Sequence, residues 1–530
     1  MVTAYVNGKI YTMKSEGDCC SAFAVEDGMF LYCGADDEAR RLAEGGQVVD
    51  LQGAPVLPGL IDTHQHLFAY ARNLLRLNLQ EVGSMRELKE LLRKKAGHTP
   101  AGMWIVGTGF DHERFADGHT LPTRKELDEA CPHHPVIITR YCLHINVANS
   151  MALKEGGVGK GFQPKVEGTV EFDEHGEPTG VLWDQAGADI IAAIPDPLST
   201  QKAKVEAVRA ACHELNRYGL TGVHAIQGKH CDLLEYTDVY QDLADRGELT
   251  ARVYLGFDEL PHCSIRTGLG NQLVKFGFFK LFIDGNMGGR SAYLNEAYAD
   301  APGQYGVVNY TQEELDAKVK EVWDLNIQIG AHVIGDRAVE MLVESIEKAH
   351  TANPNPNARF RLIHMSLLNA GIVERIRILP VVIDIQPMFV STNVRWSEDR
   401  VGHERAKYHY CWRTLIDAGL ILTAGSDSPI ETYNPMKGTY AIVTRQGMDG
   451  YPEGGWLPEQ RVTVYEAISM YTRNAAYVSY EENIKGTIEP GKLADFVLLD
   501  ADVFQTEAAH IKDITVEKTY LGGKLVYEKG

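Results

Sequence analysis

Two histidines one residue apart are the first sign of chemistry in this sequence. His64 and His66 follow an apolar run, 54–61, that predicts a buried strand. Side chains at positions i and i+2 of an extended chain point to the same side, so both imidazoles can face a single metal ion. Taken alone the pattern is weak, because a pair of hydrogen-bonded surface histidines can have the same spacing.

Further side chains that can bind a metal lie at the ends of three later strand-like runs, namely His332, His364 and Asp427. A fourth run, 278–285, carries Lys280 inside it. Neutral imidazoles and carboxylates are ligands that Zn²⁺ and related divalent ions accept in proteins. The sequence therefore predicts a metal site that is assembled from the ends of several strands.

The charge of the chain excludes some classes of partner. Its 530 residues carry a formal net charge of −20, from 52 basic and 72 acidic residues. Nucleic acids and anionic membrane surfaces repel such a chain, so we expect neither as a partner. No run approaches the ~18 apolar residues of a membrane span, and the N-terminus does not have the pattern of a signal peptide. The nine scattered cysteines favour free thiols in a reducing cytoplasm.

Strand-like and helix-like runs alternate along much of the chain, which predicts an α/β fold with a parallel sheet. Eight runs are assigned as barrel strands, near 54–62, 220–225, 251–257, 277–284, 326–333, 359–365, 380–386 and 420–427. Eight such units predict a (β/α)8 barrel of the TIM type, in which active sites lie at the C-terminal ends of the strands. The candidate ligands lie at or near those ends, except Lys280, which lies inside its run.

The first two barrel strands are too far apart in sequence for a single helix to connect them. Residues 76–195 are therefore assigned to an inserted domain, with strands of its own near 104–107 and 136–140. An insertion after the first barrel strand opens over the pocket, which makes it a candidate lid. The barrel itself is assigned to 58–75 and 196–479.

Short strands separated by tight turns occupy both ends of the chain, at 1–57 and 480–530. The segments 495–500 and 516–521, followed by a Gly-Gly turn and a further short run, have the texture of one small sheet.

These motifs resemble the amidohydrolase superfamily. Its metal sites use H-x-H after the first barrel strand, a lysine on the fourth, histidines on the fifth and sixth, and an aspartate after the eighth. The finer similarity is to its YtcJ-like branch, whose members resemble N-substituted formamide deformylase, through segments that include 57–64, 335–339, 425–429 and 486–495. The resemblance runs nearly end to end, and it implies that the two ends of the chain form one β-sandwich beside the barrel.

Two segments depart from the pattern of that branch. Ala225 follows His224, where the family usually has an aspartate, and 285–290 differs from the family's Gly-Ser-Leu-Gly-Ser-Arg. Both segments are expected near the pocket, so substrate preference is the property that these departures are expected to change.

The resemblance implies a site for one or two divalent ions, with zinc as the expected metal. One ion would be bound by His64, His66, Lys280 and Asp427, and a second by Lys280, His332 and His364. An ammonium group cannot bind a metal, so Lys280 would act as a carbamate formed with CO₂, whose two oxygens can bridge two ions.

The chemistry that such a site supports is hydrolysis of a C–N bond. Asp427 is predicted to accept a proton from the attacking water and to pass it to the leaving amine. His144, on the inserted domain, matches a histidine of the family and is predicted to contact the substrate carbonyl or the leaving group. Arg290 and Asp284 are predicted to bind substrate, with Arg290 placed to meet a carboxylate.

Each assignment has a purely structural alternative. His332 and His364 can be hydrogen-bonded core histidines, and Lys280 can form an ion pair with Asp284. Asp427 can cap the helix that follows Pro429.

The sequence thus predicts a metal-dependent amidohydrolase that cleaves an N-acyl or N-formyl amide of a small molecule. The alternative within the superfamily is an aminohydrolase (deaminase), many of which have no lysine on the fourth strand. The alternative from another class is a non-catalytic regulatory barrel. The oligomeric state stays open, with a homo-oligomer among the alternatives.

Overall fold

The computed structural model describes the whole chain except residues 143, 167, 227–232, 262–263 and 370. It divides into two compact units, of which one comprises Met1–Tyr70 and Val208–Gly530 and the other Ala71–Ala207. No helix in the described part of the chain is both long and apolar enough to cross a membrane.

The first unit contains an eight-stranded parallel sheet, which confirms the predicted TIM-like barrel. Its strands are, in order, Leu60–Gln65, Leu220–Ile226, Arg252–Phe257, Val274–Phe282, Gln328–Val333, Phe360–His364, Val381–Ile385 and Leu422–Ala424. Each pairs in parallel with the next. A parallel bridge between Gln65 and Ser428 brings the first strand next to the segment that follows the eighth. Most barrel strands consist entirely of buried residues, as expected for a parallel sheet covered on both faces.

The predicted first strand, 54–62, is wrong as one element, because the structure divides it at Gly59. Pro55–Pro58 pairs with a strand near the C-terminus, and Leu60–Gln65 pairs with the second barrel strand. A Cβ atom at position 59 would lie 2.2 Å from Thr221 Oγ1, so only glycine fits where the chain changes sheets. Apolar residues on both sides of the glycine made the two strands look continuous in sequence.

Two further sheets, built from both ends of the chain, share one core in the first unit. We call them the terminal sheets. The four-stranded sheet has the order Met29–Gly34, Ala22–Glu26, Thr3–Val6, Gln47–Asp50. The six-stranded sheet has the order Lys524–Glu528, Val516–Leu521, Phe496–Leu499, Pro55–Pro58, Lys9–Tyr11, Cys19–Cys20. A buried ion pair between Arg252 and Asp495, at 2.6 Å, joins the third barrel strand to the six-stranded sheet.

The second unit is built around its own six-stranded mixed sheet. The strands follow the order Gly168–Phe172, Pro178–Asp184, Ile145–Ala148, Val136–Arg140, Ile105–Phe110, Leu77–Asn78. Two separate clusters of buried apolar side chains pack against this sheet. The predicted insertion, 76–195, lies within this unit, which the chain enters in the helix Leu67–Leu74 and leaves in the helix Gln201–Asn216.

The α-helices of the described chain differ in length, from about one turn to almost five turns. They are Asp36–Leu42, Leu67–Leu74, Met85–Gly97, Arg124–Ala130, Ser150–Glu155, Ala188–Ala193, Gln201–Asn216, Leu233–Asp245, Gln312–Asp324, Asp336–Ala352, Ile372–Ile376, Pro387–Asn393, Ser397–Val401, His403–Ala406, Trp412–Asp417, Pro435–Thr444, Val464–Tyr471 and Arg473–Val478. Short 3-10 helices span His112–Arg114, Gln185–Gly187, Pro458–Gln460 and Ala508–Asp513.

The helix that follows the fourth barrel strand shows how local sequence sets these boundaries. Thr311 accepts a hydrogen bond from the backbone N–H of Glu314, and the Glu314 side chain accepts one from the backbone N–H of Thr311. This capping box satisfies two amide donors that the first turn would otherwise leave free. The chain then returns to the fifth barrel strand, which places His332 at the C-terminal end of the barrel.

Candidate metal centre

The H-x-H histidines and Asp427 meet where the two ends of the barrel sheet come together. The backbone N–H of Asp427 donates to the carbonyl oxygen of His64 at 2.7 Å. Asp427 has a left-handed backbone, with φ of 59°, and its Oδ1 lies 3.3 Å from Nε2 of His64 and 3.2 Å from Nε2 of His66. A single carboxylate oxygen thus faces both imidazoles.

His364 completes a compact group with this pair. Its ring centroid lies 5.1 Å from that of His64 and 4.5 Å from that of His332. Nδ1 of His364 is 2.5 Å from Oε1 of Gln386, so Nδ1–H donates to the amide oxygen and Nε2 is left as a lone-pair ligand. The sequence interpretation missed Gln386, although it is the last residue of the seventh predicted strand, 380–386, and follows the same strand-end pattern.

His332 and Lys280 lie on the neighbouring barrel strands. His332 is bonded through Nε2 to the carbonyl oxygen of Gly285 at 3.0 Å, which leaves Nδ1 as its lone-pair nitrogen. Lys280 is 2 % exposed, and its ammonium nitrogen has no hydrogen-bond partner among the described residues. A buried amine without a partner is costly, so its position inside the fourth strand calls for a ligand or a modification that uses the nitrogen.

Burial sets the charge states in this group. Desolvation, together with nearby Lys280, lowers the pKa of His64 well below its usual value and that of His332 to about 4. Desolvation also lowers the pKa of Lys280 to about 7. Burial alone raises the pKa of Asp427, but hydrogen bonds with His64 and His66 outweigh it and hold this pKa well below the usual range. His64 and His332 are therefore neutral and the aspartate is ionised, which are the states that metal binding requires.

A buried ion pair that the sequence interpretation missed lies among the same barrel strands. Arg361 and Asp384 are both 0 % exposed, and the guanidinium donates to the carboxylate. Asp384 also accepts hydrogen bonds from the hydroxyls of Thr63 at 2.6 Å and Thr423 at 3.2 Å. This carboxylate therefore connects the strands that carry His64 and His364 with the eighth strand, which precedes Asp427. A charged residue inside each of two predicted strands was the available signal.

Asp62 was also missed by the sequence interpretation, and it holds the first strand against the segment after the eighth. Its carboxylate accepts from the backbone N–H of His64 at 3.0 Å and from the N–H and hydroxyl of Ser426 at 2.9 and 2.6 Å. Desolvation raises the pKa of Asp62 to about 7 despite these bonds. Asp62 thus positions the loop that presents Asp427.

The donor set fits a divalent metal. Among the described residues, ligand atoms of His64, His364 and Asp427 all lie within 4.8 Å of one another. Nδ1 of His64 and the amine of Lys280 are buried without a partner. Two imidazoles and a carboxylate in one group match the nitrogen and oxygen chemistry of such ions.

Two of the structural alternatives are wrong. The Asp284 carboxylate accepts from the backbone N–H groups of Tyr293, Ile334 and Gly335 at 2.8 to 3.0 Å, and no ion pair with Lys280 is found between these two described residues. The helix after Pro429 is capped by Asn434, whose side chain accepts from Met436 N at 2.9 Å, and not by Asp427.

The predicted substrate-binding residues have partners of their own. Arg290 forms two hydrogen bonds, at 3.0 and 2.8 Å, with the carboxylate of Asp300. His144 lies in the second unit, where its exposed ring is 2.9 Å from Asp184. Asp284 is buried and bonded to backbone amides as described above. The substrate contacts of all three stay predictions.

Comparison with known proteins identifies the family. Residues 47–527 match the amidohydrolase family. The chain belongs to this family. It is 33% identical to YtcJ of Bacillus subtilis (strain 168) over the full length of both chains. It is 26% identical to N-substituted formamide deformylase of Arthrobacter pascens, covering 99% of this chain and 98% of that protein.

Comparison with a solved structure agrees with this family assignment. The crystal structure of an uncharacterized metal-dependent hydrolase from Pyrococcus furiosus superimposes with a TM-score of 0.75 at 28% identity, covering 95% of this chain and 100% of that one. The protein is therefore a metal-dependent hydrolase that acts on C–N bonds, as the sequence predicted. This membership argues against a non-catalytic barrel.

Proposed function

We propose that the protein hydrolyses the amide bond of a small N-acyl or N-formyl compound, with release of a carboxylic acid and an amine. The observation that carries the proposal is the ionised carboxylate of Asp427, which lies 3.3 and 3.2 Å from the two H-x-H imidazoles at the C-terminal end of the barrel. Similarity to a formamide deformylase along nearly the whole chain supports the choice of substrate class.

Asp427 is the proposed proton carrier. Because its pKa is held well below the usual value, the carboxylate is ionised at neutral pH and can accept a proton from water as the oxygen adds to the amide carbon. The protonated side chain then donates to the amide nitrogen, the C–N bond breaks, and the amine leaves. General base and general acid are thus the same residue at successive steps.

The residues proposed to hold the cofactor are His64, His66, Lys280, His332, His364 and Asp427. The cofactor is proposed to be one or two divalent ions, most simply zinc. When bound, such an ion would act as a Lewis acid that polarises the amide carbonyl and makes water more acidic. Lys280 is proposed to contribute as a carbamate. Its pKa of about 7 makes the neutral amine, the form that reacts with CO₂, available at physiological pH.

Arg290 and Asp284 are proposed to bind substrate, and His144 is proposed as a second catalytic residue that contacts the substrate carbonyl or the leaving group. Replacement of Arg290 by Gln tests the most specific of these roles, since loss of a bidentate donor should raise KM for substrates that carry a carboxylate and leave KM for neutral amides unchanged.

The proposal is tested with a panel of N-formyl, N-acyl and cyclic amides and protein whose metal content has been measured. The expected result is equimolar acid and amine for at least one N-acyl or N-formyl compound, with Asp427→Asn as the inactive control. Release of ammonia from an aminated substrate would instead identify a deaminase. Metal-loaded protein that cleaves none of the amides in the panel would overturn the proposal.

A further inference from the structure

Two cysteines face each other between the terminal sheets. Cys20 lies in the strand Cys19–Cys20 of the six-stranded sheet, and Cys33 lies in the strand Met29–Gly34 of the four-stranded sheet. Their Sγ atoms are 2.7 Å apart. An S–S bond is ~2.05 Å long, so the two sulfurs need to approach by only ~0.7 Å to reach bonding distance.

The surrounding backbone keeps the two sulfurs together. The N–H of Ser21, next to Cys20, donates to the carbonyl oxygen of Gly34, next to Cys33, at 3.2 Å. Cys33 is also paired with Phe23 in the antiparallel register of the four-stranded sheet. The strands on both sides of the pair are therefore anchored to each other, and the contact is a property of the fold rather than of two freely rotating side chains.

The pair differs from the three buried thiols of the described chain. Cys131, Cys212 and Cys411 are buried, and desolvation raises their pKa values to about 11, 12 and 12. Cys20 and Cys33 are both partly exposed. A hydrogen bond from the Cys33 thiol lowers the pKa of Cys20, and the same contact raises that of Cys33. The contact therefore favours the thiolate form of Cys20 and keeps the Cys33 sulfur next to it.

We propose that Cys20 and Cys33 form a redox-active dithiol, which a hydroperoxide oxidises to a disulfide that joins the two terminal sheets. The Cys20 thiolate attacks one peroxide oxygen, so that an S–O bond forms, the O–O bond breaks and hydroxide leaves. The Cys33 thiolate then attacks the Cys20 sulfur, so that the S–S bond forms and the S–O bond breaks, with loss of a second hydroxide. Both hydroxides take up the thiol protons, so two thiols and one hydrogen peroxide give one disulfide and two waters.

Cys19 is the natural competitor, because it adjoins Cys20 and is exposed. Adjacent residues of a strand point to opposite faces, so Cys19 faces away from Cys33 when Cys20 faces toward it. The dithiol therefore consists of Cys20 and Cys33, and Cys19 serves as a matched control one residue away.

The experiment treats full-length protein, freed of reductant, with hydrogen peroxide, and then alkylates the remaining thiols under denaturing conditions. Cleavage after glutamate separates the two cysteines, because Glu26 lies between them, and yields peptides 17–26 and 27–38. We expect these peptides to be linked and two hydrogen atoms lighter than their sum, with two alkylation sites lost. Added dithiothreitol should restore both sites.

Variants separate the outcomes. Cys19→Ser should keep the linked peptides, and Cys20→Ser and Cys33→Ser should lose them. Cys131, Cys212 and Cys411 should stay alkylated throughout, as internal controls. The proposal would be overturned if both peptides of the wild-type protein stayed unlinked while Cys19 was oxidised. Linked peptides in Cys20→Ser would also overturn it, because Cys19 would then be the partner of Cys33.

Discussion

The core between the terminal sheets and the barrel mouth, the C-terminal end of the barrel around His64, Lys280 and Asp427, bury different kinds of side chain. Between the terminal sheets, the rings of Tyr5, Phe23 and Phe496 pack with centroids 4.8 to 5.0 Å apart. At the barrel mouth, the buried atoms include the amine of Lys280 and Nδ1 of His64, both without a partner in the described chain.

The difference indicates that the barrel mouth, and not the terminal sheets, is the region where functional groups lower the stability of the fold. Ring packing adds to the hydrophobic free energy of burial, whereas each buried polar group left without a partner costs ~1–3 kcal/mol. A fold can bear this cost at a site where a bound ligand later satisfies the unpaired groups. The terminal sheets are therefore expected to stabilise the protein without the metal, and the barrel mouth to depend on it.

The largest expected effect is on turnover. Asp427→Asn should lower kcat by ~10²–10⁴, because it removes the proton carrier while keeping nearly the same shape. Kinetics on an identified substrate, with a melting curve for each protein, measures both properties. Asp513→Asn, at an exposed position 65% accessible to solvent, is the matched control and should change neither. Near-normal turnover in Asp427→Asn would assign proton transfer to another group.

The next effect is on stability at the barrel mouth. Asp384→Asn should lower the free energy of unfolding by ~3–5 kcal/mol, because it leaves the Arg361 guanidinium buried without its counter-charge. Denaturant titration measures the loss. Phe496→Leu, in the terminal sheets, should also lose stability but keep metal content and kcat unchanged. Equal loss of metal in both variants would break the comparison between the two regions.

A third effect distinguishes two lysines of one barrel strand. Lys280→Ala should reduce metal affinity by at least ~10-fold, since it removes a proposed ligand. Lys275→Ala removes a lysine that pairs with Glu481 at 2.8 Å, so it should keep the metal and lose only stability. Elemental analysis of both variants, prepared in parallel, decides the matter. Full metal occupancy in Lys280→Ala would end the bridging hypothesis.

The smallest expected effect is a pH dependence of stability at a buried charge that does have partners. Burial raises the pKa of Glu481, but Lys485 and Lys275 outweigh it and lower the value from 4.5 to about 2. Because the folded pKa is depressed, the stabilisation of ~1–3 kcal/mol is present above pH 4.5 and is lost as pH falls toward 2. Unfolding of Glu481→Gln and wild type should thus differ at pH 6 and converge in acid. A constant difference across that range would contradict this assignment.

The sequence was sufficient to predict the barrel and to nominate His64, His364 and Asp427, which the structure brings together, because strand-end positions and H-x-H spacing are local properties. It was insufficient for Arg361, Asp384, Gln386 and Asp62. In a parallel barrel both faces of a strand are buried, so alternation does not tell which side chains face the interior. Those four act through partners on other strands, and the partners are known only once the register is known. The division at Gly59 was missed for a related reason, since both sheets accept apolar strands.

The contact between His64 and Asp427 also ties activity to completion of synthesis. The amide of Asp427 bonds to the carbonyl of His64 at the joint between the two ends of the barrel sheet. A nascent chain still on the ribosome carries the H-x-H histidines early, but it lacks the carboxylate until almost the whole barrel has been translated. Unfinished chains therefore lack the proposed proton carrier, and any activity that depends on Asp427 begins only after the barrel sheet has closed.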